Sequence, residues 1–455
     1  MTDDRSESSE HVVAVLGAGP AGLYAARKLA EEGISVVLIN RDLKPGGLAE
    51  YGIYPTKHKL KEGLRKQFRK ILALPNVHYL GGVSVGDNGV VKLSDLEQLD
   101  FSATLFTIGA QGTRSLGVPG ESDCCGGIYH AKDLVYHFNQ LPPFATKEFP
   151  VGERVGIIGM GNVMVDIAHW LVTVKKVKEV VVIGRRGPAQ RAYTDKEMKE
   201  IIQAWDLEAL DAELARIQPQ LEATGVSVES IKEDLLAPMK KAKTIDSPTS
   251  FRFVFLSSTK QLIADEQGRL TALEVERNEL VERDGRLRPK GTGELTRLSL
   301  DTLVFAIGDQ VDEGVGLPFE WGKFKVAEGS HPRDPERPRY EVYDEERGAR
   351  PGYFLGGWAR VASDGLVGKA RADGENAADE VLHYLQHNDV STPSFLGCCG
   401  SLKTYLETHN IPYVDKHDIE KLEAIEQAKA KELGKEFFKF DTDEQMFAAL
   451  GKERS

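Results

Sequence analysis

Residues 17–22 read Gly-Ala-Gly-Pro-Ala-Gly and directly follow an apolar run, Val12 to Leu16. This GxGxxG spacing suits the diphosphate of a dinucleotide. Gly17 permits a tight turn, Gly19 lets a phosphate approach the backbone, and Gly22 lets a helix close against a strand. Pro20 and Ala21 would open that helix, with Ala18 in the turn before it, and an anion is favoured by the free N–H groups of a helix N-terminus. At the end of the next apolar run, where an acidic residue usually holds the ribose hydroxyls, stands Asn40. It either binds a hydroxyl without the strength of a charged acceptor or simply ends the strand. A second turn, Gly159-Met160-Gly161-Asn162 followed by Val163, lacks the third glycine. Its next strand ends in Ile183-Gly184-Arg185-Arg186-Gly187. Two arginines there match an adenosine 2′-phosphate, because guanidinium groups offer fixed, bidentate donors, so NADP is expected rather than NAD. The alternative is a solvated basic turn.

Each turn needs a strand before it and a helix and strand after it. The first unit has a helical stretch from Leu23 to Glu32, ended by Gly33, and a strand from Val36 to Ile39. The second runs from a strand at Val155 to Ile158 through a helix near Val163 to Val174 to a strand at Val180 to Ile183. These are two parallel βαβ units, so the expected class is α/β with two Rossmann-like dinucleotide-binding domains. Residues 104–109 and 303–308 read as apolar strands that each stop at a glycine. Residues 251–307 alternate as strands, with turns at Gly268 and Asp284-Gly285. Residues 329–350 look like a loop, Tyr353 to Trp358 a returning strand, and Gly374 to Gln386 a helix. Charged helices are expected over 196–243 and 416–435; they leave the oligomeric state open.

Length and composition narrow the class. The chain has 455 residues, 41% hydrophobic and 28% charged, which describes a globular protein of at least two domains. No apolar run reaches the about 18 residues of a membrane span. Met1 to Glu10 is polar and acidic, unlike a secretory signal or a transit peptide. A net charge of −12 disfavours nucleic acid as a partner. The four cysteines form two adjacent pairs, Cys124-Cys125 and Cys398-Cys399, without zinc or CxxC spacing. No metal site is expected, and a reducing cytoplasm is the expected setting.

The turn at 17–22, Gly47-Leu48, Thr107-Ile108-Gly109-Ala110-Gln111 and Ile158-Gly159-Met160-Gly161-Asn162-Val163 together resemble the adrenodoxin-reductase-type ferredoxin–NADP reductases. So do Gly184-Arg185-Arg186-Gly187-Pro188 and Gly357-Trp358. The resemblance runs from about residue 12 to the C-terminal helix. It implies FAD in the first unit, NADP in the second, and a ferredoxin-like iron–sulfur protein as redox partner. A hydride would pass from NADPH to flavin N5 and single electrons onward, or the reverse. It also implies that the NADP domain, 113–321, is inserted into an FAD domain made of 10–112 and 322–455. The match places Gly17, Ala18, Gly19, Pro20, Ala21, Gly22, Asn40, Gly47, Leu48 and Val85 around FAD. It places Arg114, Gly161, Asn162, Val163, Arg185, Arg186 and Glu197 around NADP. Trp358, Gly365, Leu366 and Val367 would return to the flavin, Gly365 also approaching the nicotinamide. Two departures fall where the two rings should meet. The family's Pro-Asp-His-Pro is Pro55-Thr56-Lys57-His58 here, and its Lys-Arg-Gly-Pro after the tryptophan is Arg360-Val361-Ala362-Ser363. Glu200 matches the carboxylate that partners the family histidine, so Lys57 or His58 would pair with it, either to assist proton movement or as a structural salt bridge.

Between the two units, residues 56–70 carry Lys57, Lys59, Lys61, Arg65, Lys66, Arg69 and Lys70 against only Glu62. On an acidic protein this reads either as a docking face for an acidic ferredoxin or as the charged face of a solvated helix. Three rival functions remain, one of them a nucleotide-binding regulatory protein with no turnover. An electron-transfer subunit resembling the small subunit of glutamate synthase would usually carry a cysteine-rich segment before the first turn. A disulfide reductase of the thioredoxin-reductase kind would need two closely spaced, exchange-competent cysteines near the flavin.

Overall fold

The computed structural model describes residues 11–124, 126–362 and 367–452. They fall into two compact units. One comprises the chain up to Thr113, Tyr136–Thr146 and the chain from Asp309 onward; the other comprises Arg114–Val135 and Lys147–Gly308. Set against the boundaries expected at 112/113 and 321/322, the crossings fall at 113/114 and 308/309, and residues 136–146 make an excursion back to the first unit.

The first unit is built on a six-stranded sheet in the order Glu341–Asp344, Gly348–Leu355, Ala103–Phe106, Val12–Leu16, Ser35–Asn40, Val77–Gly81. All neighbours are parallel except the outer pair formed by the first two. Both faces are covered, which is why Val12–Leu16 is apolar at every position rather than alternating. Val13, Val15, Val36 and Leu38 pack beneath helices Pro20–Glu31 and Val367–His387, while Val12, Leu16, Val37 and Ile39 join Phe106, Leu355 and Leu402 on the other face.

The second unit has a five-stranded parallel sheet in the order Ile128–His130, Thr302–Phe305, Arg154–Ile158, Glu179–Ile183, Ser250–Val254. A three-stranded antiparallel sheet follows, Ser257–Ala264, Leu270–Arg283 and Arg286–Ser299. Its two turns sit at the expected glycines: Gly268 has φ +74°, and Asp284 and Gly285 have φ +53° and +69°, the pair of left-handed residues a tight hairpin needs.

The C-terminal part departs from expectation in two places. The loop expected at 329–350 contains strand Glu341–Asp344, and the returning strand is Gly348–Leu355, ending before Gly356. Gly357 has φ +63° and ψ −142°, which a β-strand cannot accommodate, so Trp358 begins a short helix instead. The helix expected from Gly374 starts at Val367 and continues to His387. Gly374 is no boundary: a Cβ there would stand 2.2 Å from the Ala21 carbonyl oxygen, so the glycine marks a close helix crossing. Among the described residues no helix is long and apolar enough to cross a membrane.

Candidate functional site

The first turn leaves strand Val12–Leu16 through Gly17, whose φ is +101° and whose N–H donates to the Ile39 carbonyl at 2.7 Å. A Cβ on Gly17 would stand 2.6 Å from the Thr107 carbonyl oxygen, and one on Gly22 would stand 1.9 Å from the Gly17 carbonyl oxygen. Both contacts are backbone, so only glycine fits at either place. Gly19 differs: an added Cβ meets nothing within 4 Å. It caps helix Pro20–Glu31, whose first turn receives no side-chain cap among the described residues. Open space in front of uncapped N–H groups, with Pro20 at the first helical position, is what an incoming diphosphate requires.

Asn40 lies behind this turn and is almost fully buried. Its Oδ1 accepts the Ala18 N–H at 2.9 Å, and its Nδ2 donates to the Asp42 and Lys44 carbonyls at 2.8 and 3.1 Å and contacts the Tyr79 hydroxyl at 3.2 Å. The amide thus braces the turn against loop 42–45. Gly46 donates back to the Ala18 carbonyl at 2.7 Å, and a Cβ added to Gly47, whose φ is +48°, would stand 3.1 Å from the Gly19 Cα. Leu48 is half-buried beside Tyr51, Tyr136 and Leu141, and Val85 packs on the sheet face that holds Phe106.

The C-terminal segment comes down onto the same helix. A Cβ on Gly357 would stand 2.6 Å from the Ala21 Cβ, and the Gly357 N–H donates to Asp373 Oδ2 at 2.7 Å. Asp373 also pairs with the guanidinium of Arg360 and accepts from the Tyr340 hydroxyl at 3.3 Å. Burial, with the Asp373 charge beside it, pushes the Tyr340 hydroxyl up to about 12. Arg360, one of the two departures from the family pattern, is therefore an internal clasp on the Gly357-Trp358 turn. Trp358 is half-buried; Val367 begins the long helix and packs on its core. Gly365 and Leu366 lie outside the described residues.

The second turn repeats the first through its second glycine. Gly159 has φ +120°, donates to the Ile183 carbonyl at 3.1 Å, and would carry a Cβ 2.2 Å from the Ala306 carbonyl oxygen. Gly161 has nothing within 4 Å of an added Cβ and opens helix Asn162–Trp170. Asn162 Oδ1 accepts the Thr194 N–H at 2.9 Å, tying the turn to the segment that carries Glu197 and Glu200. Val163 is exposed. At the end of strand Glu179–Ile183, Arg185 and Arg186 are both exposed, and neither guanidinium has an ion-pair or hydrogen-bond partner among the described residues. Arg114 and Glu197 are half-buried within this unit.

The residues expected near the reacting rings have local partners. His58 Nε2 lies 3.6 Å from Glu436 and its ring stacks on Phe437 at 4.8 Å. Glu200 lies 3.5 Å from the Lys199 ammonium. Of the seven cations in 56–70, Lys61 is buried and donates to Asn139 Oδ1. Arg65 forks onto Glu50, and Arg69 reaches Glu62 and Glu423. The exposed lysines of this helix are Lys59, Lys66 and Lys70, so the free positive face is smaller than the residue count implies.

Sequence spacing alone misses the polar cluster behind that helix. Glu50 is held by Arg65 and Lys439, both at 2.6 Å, and Lys44 pairs with Glu426. Burial would raise the Glu50 carboxyl, but Lys439, Arg65 and Lys44 hold it well below the usual carboxylate range. Lys439 is 389 positions from Glu50, and no local pattern announces the pair. The buried Cys398 and Cys399 are free thiols; burial pushes Cys398 up to about 11 and Cys399 in the same direction. No cluster of metal-ligating side chains occurs among the described residues.

Comparison with known proteins fits this geometry. Residues 11–214 match the family described as pyridine nucleotide-disulphide oxidoreductase. An NADPH-ferredoxin reductase, FprA, of Mycobacterium leprae is 27% identical over 82% of this chain and 84% of its own length. The mitochondrial NADPH:adrenodoxin oxidoreductase of Arabidopsis thaliana is 27% identical over 96% of this chain and 95% of its own. The structure of Mycobacterium tuberculosis FprA in complex with NADPH superposes with a TM-score of 0.78, at 24% identity, over 97% of this chain and 99% of that one.

Proposed function

With relatives of this kind along its length, the chain belongs to the adrenodoxin-reductase-type flavoprotein oxidoreductases, and we propose that it passes electrons from NADPH through FAD to a ferredoxin-like iron–sulfur protein, or runs the same path in reverse. The observation that carries the reading is the pair of glycine turns, each with open space before an uncapped helix, of which only the second ends its next strand in two unpartnered arginines.

The first unit is the proposed FAD domain. Gly17 to Gly22 would hold the diphosphate, with Gly47, Leu48, Val85, Trp358 and Val367 around the rest of the cofactor and Asn40 stiffening the cradle from behind. When bound, FAD supplies the exchange between the two-electron hydride of NADPH and a one-electron carrier. The second unit is the proposed NADP domain. Gly161, Asn162 and Val163 would hold the diphosphate, and Arg185 and Arg186 the 2′-phosphate, where two charge-assisted forks discriminate against NAD. Arg114 and Glu197 complete the proposed set. Glu200, with Lys57 or His58, is the proposed group for hydrogen bonding near the reacting rings. An acidic electron carrier is proposed to dock on Lys59, Lys66 and Lys70, and a reducing cytoplasm is the proposed location, in keeping with the free thiols.

The disulfide-reductase reading finds no support at Cys398 and Cys399. Thiols pushed up by burial are poor nucleophiles, and both sit in the core beside Leu402. The test of the proposal is anaerobic reduction of the purified protein by NADPH and by NADH, followed by reoxidation with a ferredoxin. Rapid reduction by NADPH, slow reduction by NADH and electron delivery to the ferredoxin are expected. Reduction at equal rates by both nucleotides would overturn the assignment of the arginine pair.

A further inference from the structure

The carbonyls of Gly184, Arg185 and Arg186 each accept a hydrogen bond from a neighbouring segment. The Gly184 carbonyl accepts the Ser257 N–H at 2.9 Å, and the Arg186 carbonyl accepts the Leu256 N–H at 3.1 Å. Leu256 is buried and has φ +48°, a left-handed conformation that a branched side chain adopts only when its surroundings demand it. Two residues hold that conformation. Glu213 accepts the Phe255 N–H at 2.6 Å, and the Asn278 N–H donates to the Leu256 carbonyl at 2.7 Å.

The remaining carbonyl, that of Arg185, is taken by a side chain: Asn278 Nδ2 donates to it at 2.9 Å and to Ser258 Oγ at 2.8 Å. Asn278 is 1% exposed and lies at the register shift of strand Leu270–Arg283, so a bulge aims its amide at the arginine turn. Its side-chain amide donates to Arg185 and Ser258, while its own N–H reaches Arg186 only indirectly, through Leu256.

Resting on the reading that Arg185 and Arg186 hold the 2′-phosphate, we propose that Asn278 is a positioning residue for coenzyme choice: by fixing the Arg185 carbonyl it sets the direction in which the two guanidinium groups leave the turn. It touches no coenzyme atom itself. Loss of its donor leaves the Arg185 peptide free to rotate, and the arginines then spend ordering entropy on binding that they do not spend now.

The flavin-loaded Asn278→Ala protein, and the isosteric Asn278→Asp in case the smaller side chain does not fold, would be compared with Arg185→Ala and the parent. Two readouts are the dissociation constants for 2′,5′-ADP and for 5′-AMP by calorimetry, and KM for NADPH and NADH. The proposal expects 2′,5′-ADP binding and NADPH KM to weaken roughly tenfold, the effect of one lost buried hydrogen bond, with 5′-AMP and NADH unchanged. Equal weakening toward both ligands means a merely structural role and overturns it. So does an Asn278 variant that behaves as the parent while Arg185→Ala loses 2′,5′-ADP. If Arg185→Ala keeps 2′,5′-ADP binding, the phosphate assignment itself fails.

Discussion

At the first turn the sixth residue is Gly22, where an added Cβ would stand 1.9 Å from the Gly17 carbonyl oxygen, while at the second it is Met164, fully buried. Pro20, Ala21 and Gly22 are all buried, and Gly357 and Gly374 close directly on Ala21. The corresponding stretch of the second turn leaves Val163 46% exposed. The strand ends differ in the same sense: Asn40 has its amide spent on backbone, whereas Arg185 and Arg186 reach solvent with no partner among the described residues. Both turns have open space in front of them, but the helix start of the first is packed in by its own chain, which suits a group that stays, while that of the second is more exposed, which suits a group that comes and goes. On the proposed assignment, packing around two nearly identical loops would distinguish a resident cofactor from an exchanging coenzyme.

The two turns should respond most differently to substitution at their glycines. Gly22→Ala puts a methyl into backbone that cannot yield, so flavin content after purification is expected to fall to near zero. Gly161→Ala, with open space around it, is expected to keep its flavin and lose NADPH binding. Matching flavin loss in both variants would erase the distinction. Next in size is Glu50→Gln, which strands Arg65 and Lys439 in the interior and is expected to cost roughly 3–5 kcal/mol in urea unfolding. Because the folded Glu50 carboxyl lies below its unfolded value, its contribution is complete above about pH 4.3 and is lost as the pH falls further. Flavin release on acidification should therefore steepen below that point in the parent and flatten in Glu50→Gln.

Smaller effects sharpen the open side. Removing both guanidinium groups, Arg185→Ala with Arg186→Ala, should lower the NADPH preference by about 10- to 100-fold in kcat/KM, with NADH little changed. Replacing Lys59, Lys66 and Lys70 by Gln should slow ferredoxin reduction roughly tenfold at low ionic strength and remove most of its salt dependence. Arg69→Gln should do much less, since Glu62 and Glu423 already neutralise that side chain.

Both turns were legible because their information is local: strand, glycines, helix and the next strand end lie within about thirty residues of one another. The parallel sheets followed from the same runs, as did the hairpin turns at Gly268 and Gly285. Interactions between distant segments were not legible. Gly374 looks like a helix start until Ala21 is seen against it, and the cations of 56–70 look free until Glu50 and Glu423 are found opposite. Asn40, read as a ribose ligand or a strand end, turned out to be fully engaged in holding its own loop. Asn278 and Asp373 gave no signal: Asn278 reaches a backbone carbonyl 93 positions away, and no motif marks Asp373 as the acceptor of the Gly357 N–H.

The more closely packed turn is proposed to keep FAD and the more exposed one to exchange NADP. Exhaustive dialysis followed by the visible spectrum, before and after adding NADPH without oxygen, tests it directly. A yellow protein is expected that retains its flavin through dialysis, bleaches with NADPH and regains full response when fresh NADPH replaces spent nucleotide. A colourless protein that takes up no flavin, or one that loses flavin as readily as nucleotide, would contradict it.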